Sequence, residues 1–233
     1  AEWLNTLDGY KKKFPLKYKK QGGLKMQHIL HELDKMTGGK AIIATDVGQH
    51  QMFSAQFNRT ERPDGWLSSG GAGTMGYGFP AAIGAQFARP NDQVWAIVGD
   101  GGFQMTMCEL ATAAIHKLPV KVIVLNNHYL GMVRQWQELF FDNRESGVDL
   151  EGNPDFAKLA EAYPGARGFT LKRGADIKKI LKRAMDYNDG PCVINAEVEK
   201  GTNVYPMIPA GRPLEDMILE APKYKMEKPT GST

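Results

Sequence analysis

Short apolar runs rich in β-branched residues alternate with stretches of helical periodicity along most of the chain. Ala41–Val47, Gln93–Val98, Val120–Leu125, 166–171 and Cys192–Val198 are runs of strand length, punctuated by Gly, Pro or Asn, as buried parallel strands require. Leu24, Ile29, Leu30, Leu33 and Met36 recur at helical spacing, and Gly38-Gly39 ends that helix. Further helices are expected over Pro80–Ala88, Phe103–Lys117, Met132–Phe141, from an Asn153-Pro154 cap to Tyr163, and over 175–187. Arg62–Ser69 contains Pro63 and Gly65 and is poor strand material, while the charged loop Asp142–Gly152 reads as mobile. This alternation predicts an α/β fold: a doubly wound, mainly parallel sheet of about six strands with helices on both faces. Residues 1–22 form a basic helix and linker, 23–200 the folded domain, and 201–233 a Pro-rich tail with a short amphipathic piece at Leu214–Leu219.

Two of the strands end in residues with chemistry. Gly99-Asp100-Gly101 follows Gln93–Val98, and Asn126-Asn127 follows Val120–Leu125. A right-handed crossover brings the ends of both strands to one edge of the sheet, the carboxyl edge where open α/β sheets bind ligands. A carboxylate and an amide oxygen beside a glycine turn suit a hard cation carrying a diphosphate.

Composition narrows the field without deciding it. The 233 residues are 42% hydrophobic and 24% charged, with a net charge of +3, which supports an ordinary globular core. Lysine clusters at Lys11–Lys13 and Lys172–Arg183 lack interleaved aromatics, so they read as solvated helix faces and argue against nucleic acid. No apolar run approaches membrane-spanning length, and residues 1–20 are charged, unlike a signal peptide. Cys108 and Cys192 lie outside metal-binding spacings and read as two buried thiols in a reducing cytoplasm. Gly71-Ala72-Gly73-Thr74-Met75-Gly76 matches the dinucleotide fingerprint letter for letter, but that motif needs a strand immediately before it. His28, His31, His116 and Glu109 take packing or surface roles, and Met105, Met107, Met132 and Met207 read by default as core filler.

The Gly-Asp-Gly and Asn-Asn pair resembles the magnesium–thiamine diphosphate signature. With Val47–Met52, Gly73–Gly76, Gly131-Met132-Val133, Gln135-Trp136 and Tyr205–Pro209, the chain is similar to the C-terminal cofactor domain of acetohydroxyacid synthase (acetolactate synthase) catalytic subunits. That resemblance implies magnesium ligands at Asp100, Asn127 and the Tyr129 carbonyl. It implies a thiamine diphosphate site built from Val47, Gly48, Gln49, His50, Gly73, Met75, Asp100, Gly101, Gly102, Asn127, Tyr129, Leu130, Gly131 and Met132. Gln49 and His50 would bond the diphosphate, Gly101 and Gly102 would let backbone amides approach it, and Met75 would be the apolar wedge under the cofactor. Trp136 would line the substrate channel, with the Pro206–Pro209 tail closing over it.

The implied reaction decarboxylates pyruvate and joins the two-carbon unit to a second 2-oxo acid, pyruvate or 2-oxobutyrate, in branched-chain amino acid biosynthesis. The implied assembly is a cytoplasmic dimer or tetramer, and whether a regulatory small subunit docks stays open. The family's catalytic glutamate and FAD-binding domain are not represented here, so the chain by itself is expected to be inactive. Two alternatives remain: another thiamine diphosphate enzyme, of glyoxylate carboligase or pyruvate oxidase type, and a non-catalytic diphosphate-binding module.

Overall fold

A computed structural model describes residues 2–221. Six parallel strands form one sheet: β1 (Ile42–Thr45), β2 (Trp66–Ser68), β3 (Val94–Gly99), β4 (Lys121–Asn126), β5 (Arg167–Leu171) and β6 (Cys192–Glu197), in the order β2-β1-β3-β4-β6-β5. The helices are α1 (Glu2–Lys13), α2 (Met26–Thr37), α3 (Gln49–Phe57), α4 (Gly78–Ala88), α5 (Asp100–Thr106), α6 (Leu110–Ile115), α7 (Gly131–Phe140), α8 (Phe156–Glu161) and α9 (Ile177–Asp186).

The period-two pattern of the strands builds two separate cores. Ile43, Trp95, Ile97, Ile123, Leu125 and Ile194 face α2, α3 and α9, meeting Leu30, Phe53 and Leu181. Ile42, Ala44, Val94, Ala96, Val98, Val122, Val124 and Val193 face α4, α5, α6 and α8, meeting Phe79, Phe103, Leu110 and Phe156. Helices thus cover both faces of the parallel sheet, as expected. From β1 the chain moves outward to β2, then returns to lay β3 on β1's other side. The strand order reverses there, opening a crevice beyond the carboxyl ends of β1 and β3.

Several details differ from the pattern-based expectation. The sixth strand is β2, inside the segment taken as poor strand material; only three residues pair with β1, and none is fully buried. The crossover expected as one helix from Phe103 starts at Asp100 and breaks at a 3-10 turn, Met107–Glu109. The α8 cap is Asp155, whose carboxylate accepts from Ala157 N and Lys158 N at 3.1 and 3.2 Å, which releases Asn153 for other work. Cys108 is exposed and only Cys192 is buried. Loop residues Val148 and Leu150 bond the backbone of Leu130 and His128, with Val148 buried. His28 and His31 both pack against the Tyr18 ring, tying the basic linker to α2. Leu214–Asp216 is a 3-10 turn, Ile218 pairs with Met207, and residues 222–233 of the tail lie outside the described region. Among the described residues no helix is long and apolar enough to cross a membrane.

Candidate cofactor site

The crevice at the strand reversal is a cavity of about 520 Å³, and all fifteen site residues named from the sequence line it. β3 and β4 pair Gly99 with Leu125, so the backbone continues from adjacent strands into Asp100 and the Asn126-Asn127 pair at one edge.

Asp100 opens α5 and is buried. Asn153 Nδ2 donates to its Oδ2 at 2.7 Å and also to Asn126 Oδ1 at 3.1 Å. Burial outweighs these bonds and lifts the Asp100 carboxyl to about 6. No cation side chain is hydrogen-bonded or ion-paired to it in the described structure, so a bound cation would stabilise its ionised form. Asn127 Oδ1 accepts from Tyr129 N at 3.1 Å. Tyr129 bridges Asp149 in antiparallel fashion; the ladder uses the carbonyls of His128 and Val148 and leaves that of Tyr129 outside it. One carboxylate, one side-chain amide and one backbone carbonyl are a hard-oxygen set. Among the described residues no three His, Cys, Asp or Glu side chains gather for a softer metal.

His50, in the first turn of α3, is buried, which pushes its imidazole down to about 4 against the opposing pull of Asp46. It is therefore neutral near pH 7, and its Nε2 has no hydrogen-bond partner. An unpaired buried ring nitrogen on the cavity wall is the vacancy in hydrogen bonding that a polar ligand would fill. The residues present fit a magnesium-bound diphosphate.

Sequence reasoning gave Asp46 no role, yet it organises the glycine loop. Its carboxylate accepts from Val47 N at 2.7 Å and from Gly76 N and Gly78 N at 3.0 Å each. A strand and a helix do flank the Gly71–Gly76 motif, contrary to the reading that set the dinucleotide fingerprint aside. What sets the motif apart from a dinucleotide site is the internal carboxylate of Asp46, which already takes the amides of Gly76 and Gly78. A Cβ on Gly102 would stand 2.6 Å from Asp46 Oδ1, so at this position glycine makes room for that carboxylate. Asn153, Asp46 and Gln135 act through tertiary contacts that no local pattern announces.

Gln49 lines the cavity and is also engaged within the protein. Its Nε2 donates to Gln135 Oε1 at 3.0 Å and to Thr202 O at 2.8 Å, and its Oε1 accepts from Asn127 Nδ2 at 3.3 Å. Both donors are engaged, leaving none for a diphosphate oxygen in this arrangement.

Residues 46–196 match the family model described as the thiamine pyrophosphate enzyme C-terminal TPP binding domain. The chain belongs to this family. It is 45% identical to an acetolactate synthase of Mycobacterium bovis over 94% of this chain and 38% of that protein. It is 43% identical to the acetolactate synthase large subunit of Corynebacterium glutamicum (93% and 36%) and 40% identical to that of Haemophilus influenzae (95% and 39%). The chain spans less than two fifths of the length of these relatives.

Proposed function

We propose that this chain is the cofactor-binding part of an acetolactate synthase catalytic subunit, acting on pyruvate and a second 2-oxo acid, pyruvate or 2-oxobutyrate. The observation that carries it is the convergence of Asp100 and Asn127, from adjacent strand ends, on the one cavity that every other expected site residue also lines. Similarity of 40–45% to acetolactate synthases supports the choice among thiamine enzymes.

Asp100, the Asn127 amide oxygen and the Tyr129 carbonyl would hold Mg2+, with remaining positions left to phosphate oxygens and water. His50, buried with Nε2 free, would donate to the diphosphate through that nitrogen when it carries the ring proton. Bound thiamine diphosphate supplies an electron sink for decarboxylation. Met75, whose Cε lies 3.7 Å from where a Gly101 Cβ would stand, gives the cavity an apolar wall. Trp136, packed on Phe140 with ring centroids 5.1 Å apart, would line the approach of the 2-oxo acid. FAD, the catalytic glutamate, a dimeric or tetrameric assembly and a cytoplasmic setting belong to the same proposal, and the chain alone would turn over nothing detectable.

Product analysis on the intact enzyme tests it. Acetolactate from pyruvate, dependent on Mg2+ and thiamine diphosphate, is expected. Tartronate semialdehyde from glyoxylate, or acetyl phosphate from pyruvate, would move the assignment to another member of the family, and near-enzyme rates from the chain alone would contradict the predicted inactivity.

A further inference from the structure

Asn153 meets both of the strand ends that carry chemistry. Its Nδ2 donates to Oδ2 of Asp100, just past β3, at 2.7 Å, and to Oδ1 of Asn126, the last residue of β4, at 3.1 Å. Its own Oδ1 accepts from Gln104 Nε2 at 2.8 Å. An ionised carboxylate only accepts, so the Asn153 amide keeps its nitrogen toward Asp100; turned about, it would set oxygen against oxygen. Helix capping does not account for Asn153, because Asp155 takes the free amides of α8. The main-chain amides of Asp100 and Gly101 also favour the ionised Asp100 carboxyl. They belong to the turn itself, whereas among the described residues the bond that a side chain supplies is the one from Asn153.

We propose that Asn153 is a positioning residue that makes Asp100 a one-oxygen ligand: it holds Oδ2 and leaves Oδ1 to the cation, which selects magnesium over a larger divalent ion. The proposal rests on the magnesium reading of Asp100 and Asn127. Mg2+ demands near-octahedral geometry with its oxygens close in, whereas Ca2+ accepts more oxygens at longer range and takes a carboxylate through one oxygen or both. An Asp100 whose Oδ2 is engaged at 2.7 Å offers the first geometry and withholds the second. Without the Asn153 donor both oxygens can turn to the metal, and Ca2+ gains more from that than Mg2+ does.

The test measures half-saturation by Mg2+ and by Ca2+ for thiamine diphosphate binding in the full-length protein: wild type, Asn153→Ala, Asn153→Asp and Gln104→Leu. In Asn153→Ala the preference between the two cations should move about tenfold toward Ca2+. Asn153→Asp has the same shape and no donor, and should move it the same way by at least as much. Gln104→Leu keeps the Asn153 donor on Asp100, so its preference should stay within about threefold of wild type. An unchanged preference in either Asn153 variant would overturn the proposal, even if both cations bind more weakly, since a merely structural role weakens both alike. So would a change in Gln104→Leu as large as in Asn153→Ala. Absence of cation-dependent binding in wild type would overturn the magnesium reading itself. If Asn153→Ala fails to fold, Asn153→Asp and Gln104→Leu decide: the proposal requires the first to shift and the second to hold.

Discussion

Two helices of equal length, α7 and α9, bury opposite kinds of residue. α9 buries Ile177, Ile180, Leu181 and Ala184 and turns Lys178, Lys179, Lys182 and Arg183 to solvent. α7 buries Arg134 and Gln135 and leaves Val133 49% exposed, with Met132, Val133 and Trp136 on the cavity wall. The first is the ordinary division of an amphipathic helix, where burial of the apolar stripe supplies stability. In the second, polar burial is met partly within the helix and partly by the tail: Arg134 pairs with Glu138 one turn on at 2.7 Å and bonds Asn203, with its Nε unpartnered, while Gln135 bonds Val204. A helix that spends its apolar residues on an open cavity is shaped by a ligand, and one that hides them is shaped by the fold.

The sharpest way to break this contrast is Leu181→Ala on α9. It should cost about 2–5 kcal/mol of stability through a cavity in the core, while leaving the Mg2+ half-saturation for thiamine diphosphate unchanged. Denaturant unfolding and cofactor titration together check it.

The buried carboxylate of the site should act in the opposite direction. Held at about 6 against an ordinary 3.8, Asp100 keeps its proton in the folded state where the unfolded chain has lost it, so its contribution falls as pH rises through that window. Asp100→Asn should therefore raise metal-free stability at pH 7 by up to about 3 kcal/mol, from about two pK units. His50, held at about 4 against 6.5, works the other way: the unfolded chain takes the proton first, so its contribution falls as pH drops from 6.5 to 4. In wild type these two contributions oppose each other, so stability between pH 4 and 6 should depend less on pH than in Asp100→Asn. Asp100→Asn leaves the His50 slope alone, and stability should then fall steadily below pH 6.5. Urea unfolding at intervals across this range measures both curves.

Asp46→Asn comes next. Replacing one acceptor with an amide donor that faces Gly76 N or Gly78 N should cost about 1–3 kcal/mol and weaken cofactor binding through the loop carrying Gly73 and Met75. The smallest effect on stability is expected for Trp136→Leu, within about 1 kcal/mol, because the ring is only partly buried. Its consequence should appear in the KM for the 2-oxo acid, measured by steady-state kinetics on the intact enzyme.

The same contrast explains what could be read along the chain. α9 and α2, β3, β4 and β6 follow from periodicity alone, because burial there is apolar and repeats with the element. β2 escaped because three partly buried residues after Pro63 and Gly65 offer no alternation to detect. The ends of β3 and β4 announced Asp100 and Asn127, since a residue type with chemistry sits where a strand stops. Asp46, Gln135 and Asn153 could not be announced in this way: each works through partners far along the chain, at Gly76, Val204 and Asp100. Asn153 even carries a local cap signal that Asp155 fulfils instead.

The central claim is that Asp100 and Asn127 hold a magnesium-bound diphosphate. Calorimetric titration of thiamine diphosphate into wild type and Asp100→Ala, with Mg2+ and then with EDTA, tests it most directly. The account predicts saturable binding in wild type that requires Mg2+ and is lost in Asp100→Ala. Binding that survives either EDTA or the substitution, or no saturable binding in wild type at millimolar ligand with Mg2+ present, would contradict it.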